Sequence, residues 1–246
     1  MRFRPTLWPT LFTIPTMVLL LGLGTWQLER LQWKQALIAD RTERTGAPPI
    51  ELPAPGAPLS PAELDELDYR HAAAAGAFLH DKEMYLAART MEGSVGFQIV
   101  TPLQMADGAV VLVNRGWVPD NRKDPAKRLE GQVAGTVTVD GAIRVPRQRN
   151  WLQGWLVADN DPAKNFWFWN DLQAMGAYAA VPPDKLVPVY LEAGPAPNPG
   201  GIPIGGQTKV NLPNDHLQYA ITWYLLAAAL AVIYVLYHRQ PRSTEP

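Results

Sequence analysis

Two uncharged, apolar stretches, one near each end of the chain, constrain this sequence more than any other feature. The first runs from Pro5 to Leu28 and the second from Leu217 to Tyr237, with a polar region of domain size between them. A helix needs roughly 20 mainly apolar residues to cross about 30 Å of hydrocarbon, and both stretches meet that length. Two crossings return the chain to its starting side, so we expect a membrane hairpin that carries a domain between its spans.

The predicted spans are residues 7–28, as a helix continuing to about 42, and residues 216–237. Basic residues lie on the terminal side of each span: Arg2 and Arg4 precede the first, and His238, Arg239 and Arg242 follow the second. The positive-inside rule then places both termini in the cytoplasm and the domain outside. A second basic series weakens that signal because it follows the first span: Arg30, Lys34, Arg41 and Arg44.

A cleaved signal peptide is the alternative interpretation of the first span. Trp26 argues against it, because a bulky residue stands where a cleavage site requires small ones. Few residues precede the span, which leaves no room for an organellar presequence. We therefore expect an uncleaved anchor in a bacterial plasma (inner) membrane, with the domain in the periplasm.

Composition excludes several functional classes. The formal net charge is −1, which gives no general electrostatic reason to bind nucleic acid. The chain contains no cysteine, so disulfides, thiol nucleophiles, CxxC zinc sites and thiolate copper relays are all excluded.

Proline-rich segments at 46–62 and 193–215 are predicted linkers around a β-rich extracytoplasmic domain at 64–192. Short runs rich in branched and aromatic residues, separated by turn residues, predict its strands. These runs are His71–Leu79, Glu83–Arg89, Gln98–Leu103, Ala109–Trp117, Gly135–Val145, Asn165–Trp169 and Leu186–Leu191. One helix is predicted at Leu172–Tyr178, capped by Asn170 or Asp171. The fold class is an α+β membrane protein: a two-helix transmembrane hairpin with an antiparallel β-sheet or small β-barrel inserted between the spans.

Hairpin geometry brings the exit of the first span to the depth at which the second begins. Gly22, Trp26, Arg30 and Trp33 share one face of the first helix, and on the second the corresponding face carries His216 and Trp223. If these faces meet, they form a pocket with indole walls, one imidazole and a guanidinium at its rim.

Each of these residues also has an ordinary structural interpretation. A neutral imidazole at His216 offers a lone pair to a metal such as haem iron, but an interfacial histidine reaching toward water has the same sequence context. The tryptophans fit the aromatic belts of membrane proteins, and Arg30 and Lys34 fit solvated anchors. Both interpretations stay open on the residues alone.

The domain carries no standard catalytic signature: HExxH, P-loop, GxSxG and paired carboxylates are all missing from the sequence. We interpret Asn114–Pro119 as a strand end with a glycine bend. The aromatic run Phe166–Trp169 is interpreted as a strand buried on both faces.

Five segments, in order along the chain, resemble the surfeit locus protein 1 family, membrane assembly factors for cytochrome c oxidase. They are Leu23–Arg30 with Trp33-Lys34, Gly96–Leu103, Val111–Pro119, Asn165–Asp171 and Asn214–Tyr224. The resemblance implies a factor for maturation of oxidase subunit I, and family members of this kind bind haem a. It also implies that His216 is the haem-binding residue and the metal ligand.

Together these expectations describe a non-enzymatic haem a chaperone. His216 ligates the iron, Trp26, Trp33 and Trp223 pack on the porphyrin, and Arg30 neutralises a propionate. The expected partners are subunit I, the lipid membrane and, as a further candidate, haem a synthase. The alternatives are a protein-only scaffold for a subunit I intermediate, a membrane-bound oxidoreductase, and copper delivery, which the lack of cysteine disfavours.

Overall fold

The computed structural model describes residues 2–3, 5–146, 154–155, 158–210 and 212–240. Its helices are α1 (Leu7–Gly46), α2 (Pro61–Leu67), α3 (Leu172–Tyr178) and α4 (His216–Tyr237). Its strands are β1 (Arg2–Phe3), β2 (His71–Phe78), β3 (Met84–Met91), β4 (Ser94–Met105), β5 (Val110–Pro119), β6 (Thr136–Arg144), β7 (Leu186–Ala193) and β8 (Arg239–Gln240). The chain divides into two compact units, one formed by the two ends and the other by Thr42–Lys209.

The unit formed by the chain ends is an antiparallel helix pair, as predicted. Both α1 and α4 are long and apolar enough to cross a membrane, with mean hydropathies of 1.6 and 2.0 over their most apolar windows. Hydrogen bonds join the N-terminal end of α1 to the C-terminal end of α4: Thr10 Oγ1 lies 2.6 Å from the Tyr234 hydroxyl, and Thr6 Oγ1 lies 2.9 Å from His238 Nε2. The short strands β1 and β8 pair antiparallel beyond the helix ends.

The Thr42–Lys209 unit is a closed five-stranded β-barrel. The strand order is β2-β6-β7-β5-β4, and β4 pairs back to β2 to complete the circle. β3 pairs with the first half of the same edge of β4, so it extends the barrel wall as a hairpin arm. Of the two predicted forms, an antiparallel sheet or a small barrel, the structure has the barrel. One pairing differs from the expected antiparallel pattern, because β5 and β7 run parallel.

The barrel core is filled by aliphatic side chains from all five strands. Its fully buried members include Leu103, Val111, Val113, Ile143 and Leu191. A second cluster lies where α3 packs, around the fully buried Trp167 and Met175. The predicted α3 matches the observed helix, and Asp171 is its cap because its carboxylate accepts from the backbone N–H of Ala174 at 3.1 Å.

The two proline-rich segments contact the barrel directly. Ile50 and Leu52 pack against the barrel core, and Ile50 forms a bridge with Ala72. In the second segment, Ile204 forms an antiparallel bridge with Trp117. The prolines therefore stiffen chain that is held against the barrel wall.

The predicted strand Asn165–Trp169 is wrong. Asn165 adopts a left-handed conformation with φ of +51°, which ends a short 3₁₀ turn. Only Phe166 and Trp167 then form bridges, and Trp167 exchanges backbone hydrogen bonds with Tyr85 and Ala87 on β3. The aromatic run is thus a short strap that covers the outer edge of β3 and buries Trp167.

Candidate functional site

His216 is the first residue of α4, and its imidazole faces α1. Its Nδ1 lies 2.6 Å from Oε1 of Gln27, and the residue is partly buried. An amide oxygen can only accept, so the imidazole donates from Nδ1, and in the neutral ring the lone pair is then on Nε2. Gln27 therefore both orients the ring and selects the tautomer that could ligate a metal through Nε2.

Close approach of the helices near this site depends on Gly24. A Cβ at that position would lie 2.8 Å from the Tyr224 ring, whereas a Cβ at Gly22 would meet nothing within 4 Å. On α4 the packing surface contains Ala220 and Ala227, which are 1% and 3% exposed. Small residues of this kind let helix backbones approach in lipid.

The prediction that the Gly22 face of α1 meets α4 is therefore wrong. Trp26 and Trp33 lie on the predicted face and are half exposed, at 50% and 52%. Gln27, one residue beyond Trp26, points to α4 in their place. Residue type alone does not distinguish Gly22 from Gly24, since either glycine could mark the packing face. The two positions lie about 200° apart around the helix, so choosing Gly22 selects the wrong side of α1.

The remaining site residues fall into two groups. Arg30 stacks on Trp33, with Cζ 4.3 Å from the indole centroid. Trp223 lies seven residues after His216, which places both on one side of α4, and Trp223 is partly buried. The structure thus joins Arg30 to Trp33, and groups Trp223 with His216.

Gln27 is the residue of the candidate site that the sequence interpretation missed. Its signal is its spacing, since it lies three residues after Gly24 and so shares the side of α1 that packs against α4. A single amide side chain in a charge-free span has no feature that marks it as a partner of a histidine. On sequence alone Gln27 is therefore interpreted as an ordinary polar residue.

The described residues contain no group of three or more His, Asp or Glu side chains that could hold a metal ion. The described residues therefore do not form a site in which several protein side chains coordinate one metal ion. The arrangement at His216 instead offers one imidazole nitrogen, held by Gln27.

Comparison with known proteins agrees with the resemblance. The model of the SURF1 family matches residues 14–228. The SURF1-like protein of Monosiga brevicollis is 38% identical over 241 residues, which cover 94% of this chain and 87% of that protein. Surfeit locus protein 1 of Mus musculus is 39% identical over 228 residues, covering 87% of this chain and 70% of the mouse protein. The Homo sapiens protein of that name is 38% identical over 229 residues, covering 87% and 72%.

Proposed function

The chain belongs to the SURF1 family, and on that premise we propose that it is a non-enzymatic biogenesis factor for cytochrome c oxidase. In this proposal it holds haem a at the outer membrane face and assists its insertion into oxidase subunit I. Its working partners are subunit I, haem a synthase and the lipid membrane. It would cross a bacterial plasma membrane twice, with both termini cytoplasmic and the barrel periplasmic.

The observation that carries the proposal is the hydrogen bond between His216 and Gln27. With Nδ1 donating to Gln27, the neutral ring has its lone pair on Nε2, and histidine is a common axial ligand of haem iron. The site is at the start of α4, close to the membrane boundary, where an amphiphilic porphyrin can keep its propionates in water. The residues present therefore fit haem a as a transported cargo.

Each neighbouring residue has a defined part in holding that cargo. His216 would supply the axial nitrogen, with Gln27 keeping the ring in place. Trp223 would pack against the porphyrin plane, and Arg30 would donate charge-assisted hydrogen bonds to a propionate. Trp26 and Trp33, half exposed on the neighbouring side of α1, would shield the macrocycle from lipid or solvent. A single protein ligand favours reversible holding, which delivery requires.

The test compares purified His216→Ala protein with wild type after expression with haem a synthesis intact. We expect the variant to lose most of its haem a and the visible spectrum of the bound form. Gln218→Ala is the matched control, because Gln218 lies two residues further along α4 and is exposed. Wild-type haem content in His216→Ala would contradict the ligand assignment.

Gln27 provides a second test. Gln27→Leu removes the acceptor and should weaken haem a affinity about 10- to 100-fold, the usual effect of losing a partner of a ligating histidine. Gln27→Glu keeps an acceptor oxygen and should retain binding. If Gln27→Leu binds haem a as tightly as Gln27→Glu and wild type, this hydrogen bond has no part in the site.

The protein-only scaffold makes the opposite prediction. In that case oxidase maturation in cells survives His216→Ala and fails when the exposed surface of the barrel is changed. Measuring oxidase activity in membranes alongside haem content of the purified protein therefore separates the two functions.

A further inference from the structure

Arg115 is a buried cation at an irregular point of the barrel wall. The pairing of β5 with β4 shifts register between Asn114 and Gly116, so Arg115 is the extra residue of a β-bulge. It is 1% exposed, and its guanidinium lies over the Phe78 ring, with Cζ 4.6 Å from the centroid. Bulges commonly redirect a side chain, and they are frequent beside functional sites.

The hydrogen bonding of this guanidinium is incomplete. Nη2 donates to the backbone oxygen of Gly131 at 2.5 Å and to Oδ1 of Asn198 at 3.4 Å. Nε and Nη1 are buried and have no hydrogen-bond partner. An unpaired N–H on a buried charged group is costly, which makes an anionic acceptor at this position favourable.

Nearby carboxylates are engaged elsewhere. Glu83 binds Arg128 through both oxygens, and Asp140 lies 2.8 Å from Nε2 of His71. Burial lowers the pKa of Arg115 to about 10, so the side chain still carries its charge at neutral pH. Among the residues that the structure describes, no carboxylate forms an ion pair with it.

A crevice of about 270 Å³ lies beside Arg115. Val137, Val139 and Phe78 give it apolar walls, and the other side is formed by Gly194 and residues 196–199. Thr138 and Asp140 also line it and are exposed, so the crevice communicates with solvent. Its volume is below the roughly 300–1,000 Å³ of pockets for drug-sized ligands.

We propose that this crevice is a binding site for a small organic monocarboxylate. The carboxylate would accept hydrogen bonds from the unpartnered N–H groups of Arg115, and a short apolar body would contact Val137, Val139 and Phe78. One guanidinium matches one negative charge, and Asp140 at the edge disfavours dianions. The site is in the barrel and does not depend on haem binding at His216.

The test uses the full-length protein in detergent, titrated calorimetrically with acetate, butyrate and hexanoate, and with butyramide and inorganic phosphate as comparisons. We expect saturable binding that is best for butyrate or hexanoate, and at least tenfold weaker for butyramide and for phosphate. Ligand binding to the native state should also raise the unfolding temperature, and above Kd the rise should grow with the logarithm of ligand concentration.

Three variants locate the site. Arg115→Met should abolish binding, and Arg122→Met, which removes an exposed arginine of the same domain, should leave it unchanged. Val139→Phe fills the crevice while Arg115 is kept, so it should also abolish binding even if Arg115→Met does not fold. Equal binding of butyrate and butyramide, retained binding in Val139→Phe, or no saturation by any carboxylate would overturn the proposal. The last result would mean that water alone satisfies the guanidinium.

Discussion

The ion pair between Glu83 and Arg128 should be a major determinant of barrel stability. The two side chains are 2% and 0% exposed. Nη1 of Arg128 donates to Oε2 of Glu83 at 2.9 Å, and Nη2 donates to Oε1. The same guanidinium also donates to the backbone oxygens of Arg122 and Lys123, both at 3.1 Å. Each of its three nitrogens therefore donates to at least one acceptor inside the protein.

Glu83→Gln keeps the volume of this side chain and removes its charge. The guanidinium of Arg128 then stays buried without a counter-charge, and breaking a buried pair in this way costs about 3–5 kcal/mol. For a domain of this size 1 kcal/mol corresponds to about 2–4 °C, so we expect the unfolding temperature to fall by roughly 6–20 °C. The measurement is thermal and urea unfolding of the full chain in detergent, followed by tryptophan fluorescence.

Two further variants make this prediction sharp. Replacing the pair by Glu83→Leu with Arg128→Met removes both charges. The double variant should therefore lose less unfolding free energy than Glu83→Gln does. Asp81→Asn acts on an exposed pair in which Asp81 lies 3.5 Å from Lys82, and it should cost no more than about 1 kcal/mol. If Glu83→Gln costs as little as Asp81→Asn, the pair contributes nothing through its burial and the reasoning is refuted.

Two other expected outcomes concern helix packing and titration. Gly24→Leu should destabilise the helix pair by about 1–3 kcal/mol through overpacking against Tyr224, whereas Gly22→Leu should be tolerated; equal unfolding temperatures in detergent would contradict this packing. The hydrogen bond that His71 donates to the Asp140 carboxylate raises the pKa of His71, so the stabilisation from this pair is present below the unfolded pKa near 6.5 and is lost as pH rises through the raised pKa. Because Asp140 is largely exposed, Asp140→Asn should lower stability by less than about 1 kcal/mol at pH 5.5 and not at pH 8.5; a pH-independent difference would exclude this linkage.

Much of the fold could be predicted because the local sequence patterns favour the same helices and strands that the folded chain contains. The spans follow from hydrophobic length alone, and α3 follows from the cap at Asp171 and the apolar spacing after it. The strand-like runs gave most barrel strands to within a few residues. The parallel pairing of β5 with β7 could not be predicted, because it joins segments about 70 residues apart and depends on how the whole wall closes.

The candidate site was predicted less well than the fold. His216 was identified from its type and its position at a helix start, but its partner Gln27 required knowledge of which face of α1 packs. That choice between Gly22 and Gly24 depends on side chains of α4, such as Tyr224, and one sequence does not encode it locally. Arg115 was interpreted as part of a strand end, although a charged residue two positions after the apolar run Val110–Val113, and two before Trp117, is itself a signal of a buried polar group.

The late position of β7 in the chain has a consequence for folding. Both of its neighbours, β5 and β6, are made earlier, and the wall between them is completed only by residues Leu186–Ala193. A nascent chain thus holds two unsatisfied strand edges until almost the entire barrel sequence has emerged, and the long loop that must close makes this step slow. Ribosome stalling or truncation upstream of β7 should therefore leave an aggregation-prone intermediate that depends on chaperones, whereas an interruption downstream of β7 should not.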